Sequence, residues 1–485
     1  MTAKLRFGSR EIAPQAFEAA ARRAATAFER HGVGEGDVVC IMLYNEPAYL
    51  EAMFGARLLG AYSCPINWHY KAEEAGWILR DSSAKVLVTN AALRAQIEGG
   101  VPEKIGVVTD HSWPHPAWTG APRTPRTSMP YTSGTTGRAK GVRRIPPPPE
   151  QAPIVDALNR EGMALVHGIE PGMRALLPAP LYHSAPNGYS VQSMLNGELL
   201  VLEEKFDAER ALSLIQDLKL THAYLVPTMY VRLLRLNDTI KKRYDLSSMR
   251  FVSSTGSPCP AEVKRAMIEW WGPVFNESYA ASELGYVTSI SSAEALRKPG
   301  SAGRALGKAS LRILDEAGRE LPQGEVGLIY ARQPAFPDFA YNNDTEARRK
   351  IERDGLWSMG DMGYLDAEGY LYVCDRASDM VISGGVNIYP AEIEAVLAVM
   401  PGVRDCAVFG IPDEEFGEAL CAAVQPDPGT TLSANDVQAF LRDKIASYKI
   451  PRKVDFHPEL PREDSGKIFK RRLRAPYWEK SGRKI

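Results

Sequence analysis

Long apolar runs are missing from this sequence. No stretch approaches the ~18–20 residues that cross a bilayer, and segments such as residues 53–62 are short and broken by Arg57. The opening MTAKLRFGSREIAPQ lacks the apolar core of a secretory signal. Cysteine is sparse and scattered: Cys40, Cys64, Cys259, Cys374, Cys406 and Cys421 form no CxxC pair and no metal-ligand spacing. That pattern argues against a structural zinc site and fits small, buried, reduced thiols in a cytoplasmic protein. An excess of one charge is missing too. With 58 basic and 59 acidic residues the net charge is -1, so nothing draws the whole molecule to nucleic acid or an anionic membrane. No repeat of fixed period is visible.

What is present is an ordinary globular balance: 485 residues, 45% hydrophobic and 24% charged, enough for two to four domains at ~150 residues each. Phe17, Ala20, Ala21, Ala24 and Phe28 fall at helical spacing, with Gly32 as a stop signal. GDVVCIML then reads as a buried strand, PAYLEAMFGARLLGA as an amphipathic helix and KVLVTN as another strand. This alternation predicts an α/β chain with parallel-type sheets covered by helices. The four prolines at 146–149 read as a short rigid surface spacer. LRILDEAGRE and GYLDAEGYLYV read as short β-pairs turning on glycine, forming a β-rich subdomain. The last hundred residues carry strand and helix patterns of a small α+β domain. The boundary falls near residues 375–379, giving a large unit at 1–376 and a small one at 377–485.

One segment carries chemistry on its face. Residues 131–144 read YTSGTTGRAKGVRR, with three glycines and a dense set of hydroxyls around Lys140. Glycine lets backbone N–H groups curl towards an anion, while hydroxyls add donors and lysine adds charge. That is a polyphosphate cradle. It is not a Walker A loop, because Arg-Ala-Lys-Gly follows Gly137 where Lys-Ser/Thr would be required.

This segment resembles the phosphate loop of the adenylate-forming superfamily, in its acyl-CoA synthetase or AMP-dependent CoA ligase branch, with Ala139 where proline is usual. Four more segments match in the family order. NESYAASELG resembles the aromatic–Gly–x–Thr–Glu motif, with Ala280 and Ser282 as departures. The resemblance implies that Tyr279 stacks on adenine and Glu283 holds Mg2+, a hard oxygen ligand for a hard cation. In LWSMGDMGYLD, Asp361 matches the aspartate that accepts from both ribose hydroxyls, and in DRASDMVISGGVNIYPAEIE, Arg376 matches an arginine near ribose and phosphate. In PREDSGKI, Lys467 matches the lysine that bridges substrate carboxylate and α-phosphate. The resemblance further implies a mobile C-terminal domain that swings about a hinge, here at Ser378.

The implied activity is ATP-dependent acyl-CoA synthesis. A carboxylic acid and ATP give acyl-AMP and pyrophosphate, and the thiol of coenzyme A then gives acyl-CoA and AMP. Thr132, Ser133, Gly134, Thr135, Thr136, Gly137 and Lys140 are expected at the phosphates, with Gly256, Ser257, Ser278, Tyr279, Ala280, Ser282, Asp361 and Arg376 completing the nucleotide and acid sites. Gly384 and Gly385 match the loop beside the thiol channel. APLYHSAPNG places His183 where the family gates the acid pocket. Polar positions such as Ser184, Asn187, Thr228 and Thr255 favour an aryl, arylpropenoic or functionalised acid over a plain fatty acid. The runner-up is an acyl-AMP ligase serving a carrier-protein thiol, with no carrier domain fused here. A luciferase-like oxidase and a nucleotide-binding regulator without catalysis are further alternatives. The expected partners are the acid, ATP and CoA, with no nucleic acid and no stable membrane insertion, and a homodimer is left open.

Overall fold

A computed structural model describes residues 1–132, 138–462 and 468–481, the side chains of 480 and 481 excepted. The first long helix, Pro14–Arg30, starts on a proline already set to helical φ and buries Phe17, Ala20, Ala21, Ala24 and Phe28. It packs against the helix Pro47–Leu58. The two backbones meet at Gly55, where a Cβ would stand 2.9 Å from the Ala21 carbonyl oxygen. The strands Tyr62–Pro65, Val38–Met42, Val86–Thr89 and Gly106–Val108 form a four-stranded parallel sheet.

A nine-stranded sheet forms the centre of the molecule. Its parallel part runs Phe275–Glu277, Phe251–Ser254, His222–Leu225, Arg174–Leu177, Leu199–Leu202, Lys4–Phe7. Antiparallel strands finish both edges. Their apolar residues join the two N-terminal helices in one large core. This is the expected α/β architecture: strands buried on both faces, with helices covering them.

The β-rich part differs from expectation in pairing. Asp361–Leu365 and Leu371–Arg376 form the expected hairpin. Ser310–Leu314, however, pairs along its whole length with Gly327–Arg332, and its near neighbour Glu320 makes a single bridge to Leu314. The longer apolar strand offers more cross-strand contact than the short local return.

The small C-terminal domain holds an antiparallel sheet of Val386–Ile388, Val381–Ser383, Gly417–Pro426 and Val403–Asp413, with Lys453–Phe456 added in parallel. The helices Pro390–Leu397 and Ala434–Arg442 cover it, and Ile393, Leu397, Val408, Leu420, Val437 and Leu441 form a separate core. The six cysteines are free thiols, five of them buried and Cys374 half-buried. Among the described residues no helix is long and apolar enough to cross a membrane.

Candidate active site

Four neighbouring strands of the central sheet, Arg174–Leu177, His222–Leu225, Phe251–Ser254 and Phe275–Glu277, end on the same side. The segments that follow them, from Ala179, Val226, Thr255 and Ser278 onward, line one large cleft. The carboxyl ends of parallel strands are where open α/β sheets present ligand sites. Thr132, Lys140, His183, Gly256, Ser257, Ser278, Tyr279, Ala280, Ser282, Glu283, Asp361 and Arg376 all line this cleft. Ser133, Gly134, Thr135, Thr136, Gly137 and Lys467 lie outside the described residues. Gly384 and Gly385 turn the hairpin between Val381–Ser383 and Val386–Ile388, away from the cleft walls. Both have positive φ, +57° and +81°, so the turn itself calls for glycine. A Cβ on Gly384 would lie 2.9 Å from the Phe416 ring, while one on Gly385 would meet nothing within 4 Å.

Two polar clusters line the cleft. In the first, the buried Glu283 accepts from Thr132 Oγ1 at 2.9 Å and from the Tyr341 hydroxyl at 3.0 Å, both at Oε1. Burial and the Glu283 charge push the Tyr341 phenol up, so it remains a donor. Lys140 opens the strand Lys140–Arg144, its Nζ 3.6 Å from Asp344 and over the Tyr341 ring. Behind them Arg144 is half-buried. Its guanidinium donates to the Ser282 carbonyl at 2.6 Å and the Pro337 carbonyl at 2.8 Å, and burial lowers it to about 10, still charged at neutral pH. The hydroxyls of Ser282 and Ser184 lie 2.9 Å apart.

In the second cluster the Tyr279 hydroxyl donates to Asp361 Oδ2 at 2.6 Å, and Arg376 Nε lies 3.4 Å from Oδ1. Asp361 and Arg376 are paired residues of one hairpin, which fixes their spacing. Burial and the Asp361 charge raise the Tyr279 phenol well above its usual range. A carboxylate accepts at about four lone-pair sites, so Asp361 keeps capacity for ligand hydroxyls.

Sequence reasoning missed Tyr341, Arg144 and Asp344. Each reaches its partner across a long chain separation, and none stands in a motif with the residue it supports. His183 precedes the helix Ser184–Asn196, its ring centroid 4.5 Å from that of Tyr182. His167 is fully buried between the hydroxyls of Ser253, at 2.6 Å, and Tyr286, at 2.5 Å. Burial holds it down to about 3, so it is neutral. The ion pair of Lys264 and Glu277, at 2.5 Å, is also buried. Burial alone would lower the Lys264 pKa, but the Glu277 charge holds it above the usual value.

Comparison with known proteins decides the family. Residues 5–336 match the family described as AMP-binding enzyme, and residues 392–467 match the AMP-binding enzyme C-terminal domain. The chain belongs to the AMP-binding enzyme family. Indoleacetate–CoA ligase of Aromatoleum aromaticum is 33% identical over 96% of this chain and 93% of its own. The fatty acid–[acyl-carrier-protein] ligase ScoC of Streptomyces coeruleorubidus is 32% identical over 96% and 91%. ATP-bound MatB from Rhodopseudomonas palustris superposes with a TM-score of 0.85 at 28% identity, covering 98% of this chain and 96% of its own. Apo MatB gives 0.74 at the same identity and coverage.

This member of the AMP-binding enzyme family therefore superposes better on the ATP-bound than on the apo structure of that relative. In this arrangement Arg235, just past the helix Pro227–Leu234, donates to the Val403 carbonyl at 2.6 Å and lies 3.8 Å from Asp427 of the small domain.

Proposed function

We propose that this protein is an ATP-dependent acid–CoA ligase that works through an acyl-adenylate. The single observation that carries this is the pair of polar clusters lining one cleft, Thr132–Glu283–Tyr341 and Tyr279–Asp361–Arg376. One cluster is suited to phosphates and their cation, the other to a nucleoside. Between Thr132 and Lys140 runs the glycine- and hydroxyl-rich segment whose composition suits a polyphosphate.

Magnesium fits the donor set. Among the described residues no group of three metal-ligating side chains exists, and Mg2+ is ordinarily held by one or two carboxylates plus substrate phosphates. Glu283 would supply that carboxylate, steadied by Thr132 and Tyr341. When bound, the cation neutralises charge on the triphosphate. The chain's own residues do the rest. Asp361 accepts from the ribose, Tyr279 presents its ring to the base, and Lys140 and the hydroxyls of 132–136 hold phosphate oxygens. Lys467 offsets the negative charge that gathers as the substrate carboxylate attacks the α-phosphorus. Pyrophosphate leaves, and the acyl-AMP so formed has a leaving group that a thiol displaces at neutral pH. Coenzyme A then takes the acyl group and AMP departs. No enzyme nucleophile is required.

The two working units are residues 1–376 and 377–485. The hairpin ending at Arg376 belongs to one sheet and the strand beginning at Val381 to another, which supports a hinge in the intervening segment at Ser378. Six free cysteines suit a cytoplasmic setting. The polar and aromatic pocket wall, together with the likeness to an indoleacetate ligase, supports an aryl or otherwise functionalised acid. The likeness to ScoC keeps a carrier-protein thiol as the second reading.

The deciding experiment incubates the protein with ATP, Mg2+ and acids from acetate to palmitate, benzoate, cinnamates and indoleacetate, following AMP release with and without CoA. CoA-dependent release with one acid class is the expected result. Acyl-adenylate formed without CoA turnover would favour the carrier-protein reading, and silence in both this assay and pyrophosphate exchange would refute the ligase.

A further inference from the structure

The cleft contains polar groups to which no step above gives a chemical role. Ser278 is 5% exposed, lines the cleft, and its hydroxyl has no partner among the described residues. A buried hydroxyl left unbonded costs about 1–3 kcal/mol, a cost that a ligand could relieve. Beside it, Glu277 also lines the cleft. Its side chain is 8% exposed, with Oε2 on Lys264 and Oε1 accepting only a long 3.5 Å contact from the Cys259 N–H. The carboxylate therefore has unused acceptor capacity. Its charge, by contrast, is already matched by Lys264. The same cleft wall also carries apolar side chains, among them Val226, Val231 and Ala280.

We infer that the acid this enzyme activates carries a neutral hydrogen-bond donor, a hydroxyl or ring N–H, on an otherwise apolar skeleton, read by Ser278 and Glu277. This rests on the ligase reading above and narrows its substrate. An ionised carboxylate accepts and never donates, so the complementary group on the ligand must donate. A second carboxylate would be repelled by Glu277, and an ammonium would bring an unmatched charge to an ion pair that is already neutral. A site that buries polar groups for a partner rejects the analogue lacking that partner, because the groups are then desolvated without compensation.

The test compares matched acids: 4-hydroxycinnamate with cinnamate, and indole-3-acetate with its N-methyl analogue. The readout is kcat/KM for CoA-dependent AMP release. The wild-type enzyme is expected to favour the donor acid at least about 10-fold in one pair. Ser278→Ala should reduce that ratio to about 3-fold or less. The paired change Lys264→Met with Glu277→Leu, which leaves no buried charge alone, should reduce it in the same direction. Turnover of both members at equal kcat/KM overturns the inference and leaves the ligase intact, as does a ratio unchanged in Ser278→Ala. A stronger preference for a dicarboxylate or an amino acid also overturns it. Failure of every acid with ATP, in both AMP release and pyrophosphate exchange, overturns the ligase reading and this inference together.

Discussion

Replacing Arg235 with alanine removes one contact that joins the two domains away from the hinge. Among the described residues Arg235 makes no hydrogen bond or ion pair to the two polar clusters, so its loss is expected to act through domain orientation. A hydrogen bond to a charged donor contributes about 1.5–3 kcal/mol when shielded. The Arg235 side chain is 34% exposed, so screening reduces this to about 1–2 kcal/mol. The 3.8 Å pair with Asp427, itself 38% exposed, adds at most ~0.5 kcal/mol. A loss of about 1–2 kcal/mol shifts the balance between domain orientations about 5- to 30-fold. Acid-dependent ATP/pyrophosphate exchange should slow by that factor. Acyl transfer from supplied acyl-AMP to CoA should hold or rise, because the arrangement being weakened is the one resembling an ATP-bound relative. Arg235→Lys should retain part of the exchange rate. An equal fall in both half-reactions would refute the reasoning, as would exchange at the wild-type rate.

Four further outcomes follow from the geometry. Asp361→Asn keeps one acceptor but removes the charge opposite Arg376, and should raise the KM for ATP about 10- to 100-fold with little change in melting temperature. Glu283→Gln should lower adenylation about 100-fold and raise the Mg2+ concentration for half-maximal rate; an unchanged Mg2+ dependence would remove Glu283 from the cation site. Gly385→Leu costs about 1–2 kcal/mol of backbone strain at φ +81° even in open space, so its effect on CoA transfer must be read against Gly385→Asn, which tolerates that φ, with melting curves for both. His167 is held down to about 3 and His222 to about 4, against about 6.5 unfolded. The unfolded chain therefore takes up protons first, and stability present above pH ~6.5 is lost as pH falls towards 4, by up to ~1.4 kcal/mol per pH unit for each histidine. Urea unfolding at pH 7 and 5 should show this, and His167→Gln should remove one proton's share of the slope.

Much of the fold could be read from local pattern. Phe17 to Phe28 repeat at helical spacing because one face is buried, and VVCIM is apolar throughout because both faces of its strand are covered. The hairpin at 361–376 shows its turn as Asp-Ala-Glu-Gly. What could not be read was set by distant partners. Ser310–Leu314 has the same alternation whichever strand it pairs with. The site divides in the same way. Lys140, Glu283 and Asp361 stand in compact motifs, whereas Tyr341 is 58 residues from the carboxylate it supports and looks like any buried tyrosine. Lys264 reads as an ordinary helix-surface lysine until the fold brings Glu277 against it.

The strand Lys4–Phe7 sits inside the central sheet, hydrogen-bonded in parallel to Leu199–Leu202. Its partner is made about 195 residues later, which at ribosomal rates of 5–20 residues per second is a wait of roughly 10–40 s. Until then the strand has only the short antiparallel return Arg10–Ile12 beside it, and its other edge is open. The helices Pro14–Arg30 and Pro47–Leu58 can pair early with the four-stranded sheet, but the central sheet closes late, with the hairpin of Lys4–Phe7 and Arg10–Ile12 waiting for Leu199–Leu202 before it can join. A newly synthesised chain should therefore depend on holding chaperones over this interval, and refolding from denaturant should show a slow phase that deletion of residues 1–8 alters.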